Sequence, residues 1–358
     1  MLEEAGTAFS DTLKIPAVDP DRCVHGRIEQ GSCRACVDSC PTAAWVIDDE
    51  QLGIVTQRCD GCGLCTAACP EEAIEPPPRP RLRSWNGHLM ALVACERCGS
   101  PTPDDATIPC LHAIGAAGLL ALYNDGCRHF FALTGDCRGC SRHHALDIET
   151  TLRRLNRMLR SRGLAPLQYK ATSEQVWHRI RFKSTDSAAA RKMDRRRFLR
   201  AALAEAIETR LQAEDRPRRL PDSVAMLPAD SLGNSPVGVI WPHVPTIDPG
   251  RCSGCNACIK ACPHLALEIV DNEADLHYAI DPGRCSGCRI CSDICPESAV
   301  EVHDWTTSEQ RSVALVRSRC RRCGIPLNKP DAPEQTHGIC TICATHDHHR
   351  HLYQVLDQ

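Results

Sequence analysis

The twenty-six cysteines of this 358-residue chain fall into clumps, and their spacing restricts the fold more than any other feature. Residues 252–295 carry Cys252, Cys255, Cys258 and Cys262-Pro263, then Cys285, Cys288, Cys291 and Cys295-Pro296. C-x2-C-x2-C-x3-C-P is the ligand signature of a bacterial [4Fe–4S] cluster. Two-residue gaps let one tight turn aim three thiolates at three corners of a cube, and the fourth cysteine then points at the other cube. The expected ligand sets are Cys252, Cys255 and Cys258 with Cys295, and Cys285, Cys288 and Cys291 with Cys262. The proline removes a backbone donor and turns the chain away.

Residues 23–69 repeat the pattern with one departure. Cys59, Cys62, Cys65 and Cys69-Pro70 are regular, as are Cys33, Cys36 and Cys40-Pro41, but nine residues instead of two separate Cys23 from Cys33. The intervening stretch is polar and holds Gly26 and Gly31, as an inserted loop should. Cys23, Cys33 and Cys36 are therefore grouped with Cys69, and Cys59, Cys62 and Cys65 with Cys40. Were Cys23 not a ligand, that cluster would be a labile or three-iron species. The recurrence of one unit points to duplication.

Apolar segments at 43–48 and 266–270 read as short strands beside the cysteine runs. Together these motifs resemble two-cluster bacterial ferredoxins, over about residues 17–78 and again over 243–305, within a module taken as 237–305. The resemblance implies a pseudo-symmetric βαβ–βαβ fold and outer-sphere electron transfer between neighbouring clusters.

Six further cysteines occupy residues 95–140 with other spacing. Leu89–Ala94 reads as a buried strand ending at Cys95-Glu96-Arg97-Cys98, and an apolar helical pattern follows Ile108-Pro109-Cys110. A second strand, Phe130–Leu133, leads to Gly135-Asp136-Cys137-Arg138-Gly139-Cys140, and an amphipathic helix then runs from Leu146 to Leu159 before Gly163. Strand, helix, strand, helix is an α/β layout over about 85–170, with cysteines in the loops after the strands, where open α/β sheets bind ligands. The cysteine pair, the Ile-Pro-Cys tripeptide and the Gly-Asp-Cys loop resemble the delta (small iron–sulfur) subunit of methyl-viologen-reducing hydrogenases. That resemblance implies an iron–sulfur centre, taken as [2Fe–2S], among Cys95, Cys98, Cys110, Cys137 and Cys140. The last loop departs from the family in spacing, and a structural zinc site is the plainer alternative. Cys127 reads as a packed thiol.

Cys320-x2-Cys323 and Cys340-x2-Cys343 have the spacing of a zinc ribbon over 313–358, although a rubredoxin-like iron uses the same four thiolates. This module reads as a domain cap or docking knob, and His346, His348, His349 and His351 as a solvated tail. Residues 171–236 lack cysteine and read as a basic linker. Arg191–Arg200 within it resembles a twin-arginine export motif, but it is internal and Glu205 breaks the apolar stretch that follows. An amphipathic helix with Phe198, Ala202, Leu203, Ala206, Ile207 and Leu211 on one face is the simpler reading. Its basic face could dock an acidic redox partner.

Abundant cysteine means disulfides or metal, and the compartment decides. The N-terminus lacks the layout of a secretion signal, and the longest near-apolar stretch, 114–122, is too short to span a bilayer. A reducing cytoplasm is therefore expected. With 42 Lys and Arg against 45 Asp and Glu, the net charge of −3 gives no global case for nucleic acid. Aromatics make up only 4%, so bound metal has to substitute for core in small domains.

The expectation is a multidomain α+β chain with four [4Fe–4S] clusters, one further iron–sulfur centre and one zinc. It would perform no bond chemistry, serving instead as a subunit that relays electrons between a catalytic partner and another carrier. A hydrogenase, a formate dehydrogenase or a heterodisulfide-reductase-like enzyme would suit as partner. Two rival readings are an iron–sulfur redox or oxygen sensor, with the Cys23 loop as its labile point, and a zinc-ribbon nucleic-acid binder.

Overall fold

Five consecutive apolar residues, Met90–Ala94, form the centre of the largest sheet and are all buried. A strand covered on both faces reads as a continuous apolar run rather than an alternating one. The computed structural model describes residues 15–47, 52–75, 80, 82–98, 107–143, 147–186, 238–272, 275–332 and 338–345. The amphipathic basic segment at 198–211 and the histidines at 346–351 lie outside these residues, as does most of the Pro76–Pro80 spacer. The chain divides into two units, one of residues 1–27, 34–155 and 166–218, the other of residues 28–33, 156–165 and 219–358.

In the first unit a small cysteine-rich module precedes the large sheet. Its helices are α1 (Val24–Arg27), α2 (Ala35–Asp38) and α3 (Leu64–Ala68). Strands β1 (Trp45–Ile47) and β2 (Leu52–Ile54) pair antiparallel, with Trp45 opposite Ile54. An outer strand pair is reduced to a single bridge between Val18 and Ile74. The core is correspondingly small, and Cys36 and Cys65 are part of it alongside Trp45 and Ile74.

The large sheet is built from β3 (Leu82–Trp85), β4 (His88–Cys95), β6 (His129–Leu133), β7 (Gln168–Thr172) and β8 (Thr185–Asp186), in the order β7-β6-β4-β3-β8. Strands β4, β6 and β7 are parallel, and β5 (Thr107–Ile108) pairs parallel with the end of β4. Helices α4 (Gly115–Asn124) and α5 (Ile148–Ser161) follow β5 and β6, giving the expected strand–helix alternation. Asp147 caps α5: it accepts hydrogen bonds from the N–H groups of Glu149 (3.3 Å) and Thr150 (3.0 Å).

This module runs further than 85–170. Helix α6 (Glu174–Lys183) and β8 belong to it, and Arg83 of β3 fastens them by donating to Ser184 Oγ (2.7 Å) and Ser184 O (2.9 Å). Strand β7 is an edge strand with exposed Gln168 and Lys170, which is why its end resembles a linker in sequence.

The second unit holds β9 (Ile240–Ile247), α7 (Ala257–Ala261), β10 (Leu267–Asp271), β11 (Leu276–Ile280), α8 (Ile290–Asp293) and β12 (Val300–Thr307). Strands β13 (Ser312–Arg319) and β14 (Pro326–Pro330) and helix α9 (Thr341–Thr345) complete it. Here the outer pair is a full antiparallel ladder, β9 with β12. Strand β13 pairs with β11 on one edge and with β14 on the other. The C-terminal cysteine module thus shares a sheet with the module before it and is not a separate body. Among the described residues no helix is long and apolar enough to cross a membrane.

Candidate metal centres

Each Cys-Pro pair is followed by two residues and an alanine, at Ala44, Ala73, Ala266 and Ala299. The residue before each alanine has left-handed backbone: Ala43 (φ 48°), Glu72 (47°), Leu265 (54°) and Ser298 (46°). Such a conformation costs a non-glycine residue roughly 1–2 kcal/mol, so its recurrence at four equivalent places calls for a reason. The reason is a hydrogen bond. The turn aims each alanine N–H at the preceding sulfur, from Ala44 to Cys40 Sγ (3.3 Å), Ala73 to Cys69 (3.3 Å), Ala266 to Cys262 (3.3 Å) and Ala299 to Cys295 (3.2 Å).

The carbonyl of the same alanine binds the opposite run. It accepts the N–H of the residue four places before a leading cysteine: Asp19 to Ala73 (2.7 Å), Val55 to Ala44 (2.7 Å), Asp248 to Ala299 (2.8 Å) and Asp281 to Ala266 (2.8 Å). These links couple Cys69 to Cys23, Cys40 to Cys59, Cys295 to Cys252 and Cys262 to Cys285. Cys23 therefore stands in the same backbone setting as the regular leading cysteines, despite the inserted loop. A sequence signal accompanies it, since Asp19-Pro20-Asp21-Arg22-Cys23 matches Asp248-Pro249-Gly250-Arg251-Cys252 and Asp281-Pro282-Gly283-Arg284-Cys285.

The thiols face one another across cavities. One of about 290 Å³ is lined by Cys40, Cys59, Cys62 and Cys65, far more room than a single ion requires. Another is lined by Cys262, Cys285, Cys288 and Cys291. Burial, then repulsion from Cys252, Cys255 and Cys295, pushes the Cys258 thiol up to about 12. Burial likewise raises Cys291, with Cys285, Cys288 and Cys262 as charged neighbours, and Cys69, with Cys23 among its neighbours. Clustered sulfurs that repel when ionised are a donor set suited to a positively charged metal core.

A family model described as a 4Fe-4S dicluster domain matches residues 245–302, and a second of the same description matches residues 31–74. Both stretches are 4Fe–4S dicluster domains. Two such domains imply four [4Fe–4S] clusters; the matched stretches hold fifteen of the cysteines, and Cys23 lies upstream of them.

Outside the dicluster domains, five cysteines gather where β4, β5 and β6 end. Cys95 closes β4, Cys98 closes the 3₁₀ turn Glu96–Cys98, Cys110 follows β5, and Cys137 and Cys140 lie in the loop after β6. Cys110 is raised to about 11 by burial, with Cys95 and Cys137 as charged neighbours. Cys137 is raised by burial and by Cys95 and Cys140. Cys127 differs: it is fully buried and its thiol donates to His129 O (3.2 Å), as a packing residue would.

At the C-terminal pairs the thiols are closer. The Sγ atoms of Cys320, Cys323, Cys340 and Cys343 all lie within 4.8 Å of one another, the one group so close among the described residues. Cys323 and Cys340 are 3.8 Å apart, and a tetrahedral zinc with Zn–S near 2.3 Å sets its sulfurs about 3.8 Å apart. Backbone N–H groups of Cys340 and Cys323 hold the Cys320 thiol down at about 5, while burial pushes Cys343 up. This four-thiol site suits one ion.

Proposed function

We propose that the chain is a cytoplasmic electron-transfer protein that relays single electrons between a catalytic oxidoreductase partner and another carrier. The observation that carries this reading is the fourfold repeat of one cysteine turn. In each copy a lone cysteine receives a backbone N–H at sulfur and is tied by its alanine carbonyl to the opposite cysteine run. The proposed ligand sets are Cys23, Cys33, Cys36 and Cys69; Cys59, Cys62, Cys65 and Cys40; Cys252, Cys255, Cys258 and Cys295; and Cys285, Cys288, Cys291 and Cys262. Clusters so held supply reversible one-electron storage. Hydrogen bonds to sulfur and burial are the protein's means of setting their potentials.

Cys95, Cys98, Cys110, Cys137 and Cys140 would hold one further iron–sulfur centre. The mutual charge interactions of Cys95, Cys110, Cys137 and Cys140 at one end of the sheet favour this. Cys320, Cys323, Cys340 and Cys343 would hold a structural zinc. A hydrogenase, formate dehydrogenase or heterodisulfide-reductase-like enzyme fits the role of partner.

Anaerobic analysis of iron, acid-labile sulfide and zinc, combined with EPR, tests the reading. The dicluster domains contribute about sixteen irons at four per cube, the middle site adds more, and one zinc accompanies them. A colourless protein without labile sulfide overturns it.

A further inference from the structure

One buried cation stands between the loop of Cys59, Cys62 and Cys65 and the loops of the middle cysteines. The Arg142 side chain is 7% exposed, and its Nε–H donates to Asp60 Oδ2 at 2.6 Å. The two terminal nitrogens donate to Asp60 O (2.8 Å), Pro109 O (2.6 Å) and Glu96 Oε2 (3.4 Å). Its backbone N–H donates to Cys140 Sγ (3.4 Å). Asp60 lies next to Cys59 and accepts the Cys62 N–H (3.2 Å), while Pro109 O precedes Cys110 and also faces Cys95 Sγ (3.8 Å). A single side chain thus grips both sets of cysteines.

The surfaces beneath it are in direct contact. Cys62 and Leu64 share a buried cluster with Cys110 and Ala113. Helix α3 lies against the Leu111–Ile114 turn and α4, so closely that a Cβ on Gly115 would press on Ala67 at 3.0 Å. The Arg142 charge reaches the thiols of Cys62 and Cys110 alike. Apolar side chains of similar volume would join two loops as well as a buried ion pair does. The placement of this one, between two sulfur sites, therefore suggests an electrostatic role.

We infer that this is an electron-transfer junction. The cluster held by Cys59, Cys62, Cys65 and Cys40 and the middle iron–sulfur centre exchange one electron across the Cys62–Cys110 contact. Arg142 is the positioning residue that fixes their separation and the charge between them. The inference rests on the proposed reading of the middle cysteines as an iron–sulfur site. In each transfer the donor cluster is oxidised by one electron and the acceptor reduced by one; no bond changes and no proton moves. A fixed cation favours the more negative state of a cluster beside it, so its removal lowers that cluster's potential.

The test is an EPR-monitored redox titration of the full chain, purified without air and loaded with iron. In the wild type, reducing both centres should broaden their signals by spin coupling. Arg142→Met should shift the oxidised-to-reduced ratio of one first-unit cluster at least tenfold toward oxidised at fixed potential, about 59 mV for a one-electron centre. It should also weaken the coupling and leave the clusters of residues 245–302 unchanged, and Arg142→Lys should recover the potential. Asp60→Asn, which removes the nearer of the two carboxylates paired with Arg142, should shift the ratio the opposite way, and it carries the test if Arg142→Met loses iron. Unchanged ratios and coupling at full iron content, or magnetically isolated centres in the wild type, overturn the junction alone. A wild type with iron for four cubes only, and no loss on Cys110→Ser, overturns the reading of the middle site and the junction with it.

Discussion

Replacing Gly254 by alanine separates two costs that usually come together. Gly254 sits between Cys252 and Cys255 at φ +76°, and an added Cβ would overlap the Asn328 carbonyl oxygen, 3.0 Å from its carbonyl carbon and 3.2 Å from Lys329 Cα. These are backbone atoms of β14, so no side-chain rotation relieves them. Gly324 has the same φ, +76°, with no described atom within 4 Å of its would-be Cβ. Both substitutions carry the left-handed strain of roughly 1–2 kcal/mol, but only Gly254→Ala adds overpacking of about 1–3 kcal/mol. If iron is lost through local opening of the loop, that excess makes release roughly 5- to 160-fold faster. The assay is anaerobic transfer of iron to a ferrous chelator from the two variants. Equal release rates, or Gly254→Ala behaving as the wild type, would refute the claim that β14 roofs this loop.

Three further outcomes follow from the geometry. Cys127→Ala should keep the full iron content, whereas Cys110→Ser should lose only the iron exceeding the four cubes, both read by metal analysis. Asp147→Ala should cost about 1 kcal/mol by loss of the α5 cap, read from denaturation midpoints. Burial opposes the Asp147 carboxylate, but the hydrogen bonds from Thr150 and Glu149 and the charge of His112 together outweigh it and lower its pKa. Its stabilisation is therefore complete above the usual value near 4 and lost as pH falls through the lowered folded value, so the deficit should be constant from about pH 8 to 5; a deficit that shrinks across that range would refute the assignment. Zinc added at pH 7 to the full chain stripped of zinc should release at most three protons, because Cys320, held down at about 5, is already a thiolate; release of four would contradict that. Zinc binding therefore weakens as pH falls below neutral, and more steeply below about 5, where Cys320 also regains its proton.

Ligand spacing was legible because two-residue gaps are a local property of the chain. The strands beside the runs also followed from local pattern: Trp45–Ile47 and Leu267–Asp271 fall within or beside the expected segments. What the spacing left open was the standing of Cys23, and the answer lay upstream, in the repeated Asp-Pro-x-Arg-Cys stretch and its hydrogen bond to Ala73. The left-handed residue before each alanine has no sequence signature, because Ala43, Glu72, Leu265 and Ser298 share no side-chain character. Only their place in the turn is common. The reach of the sheet to β7 and β8 leaves little trace in the sequence, because an edge strand and a two-residue strand carry little apolar signal. The Arg142–Asp60 pair spans 82 residues of sequence and had no local trace.

The chain's small cores explain why metal and fold have to be considered together. Cys252, Cys258 and Cys291 belong to the main core cluster of the second unit, and Cys320, Cys340 and Cys343 form nearly all of another. Without metal, the Cys62 and Cys258 thiols, both pushed up to about 12 chiefly by burial, stay protonated at neutral pH. Cluster insertion must therefore displace protons from buried sulfur, and what it gains is a core that the scarce aromatics do not supply. In the second unit β13 pairs with strands of both the dicluster domain and the four-thiol module. An ion held by Cys320 and its neighbours would then steady β14 where Asn328 meets Gly254. Loss of the C-terminal metal should accordingly loosen the Cys252–Cys258 loop first, before the clusters whose loops β14 does not meet.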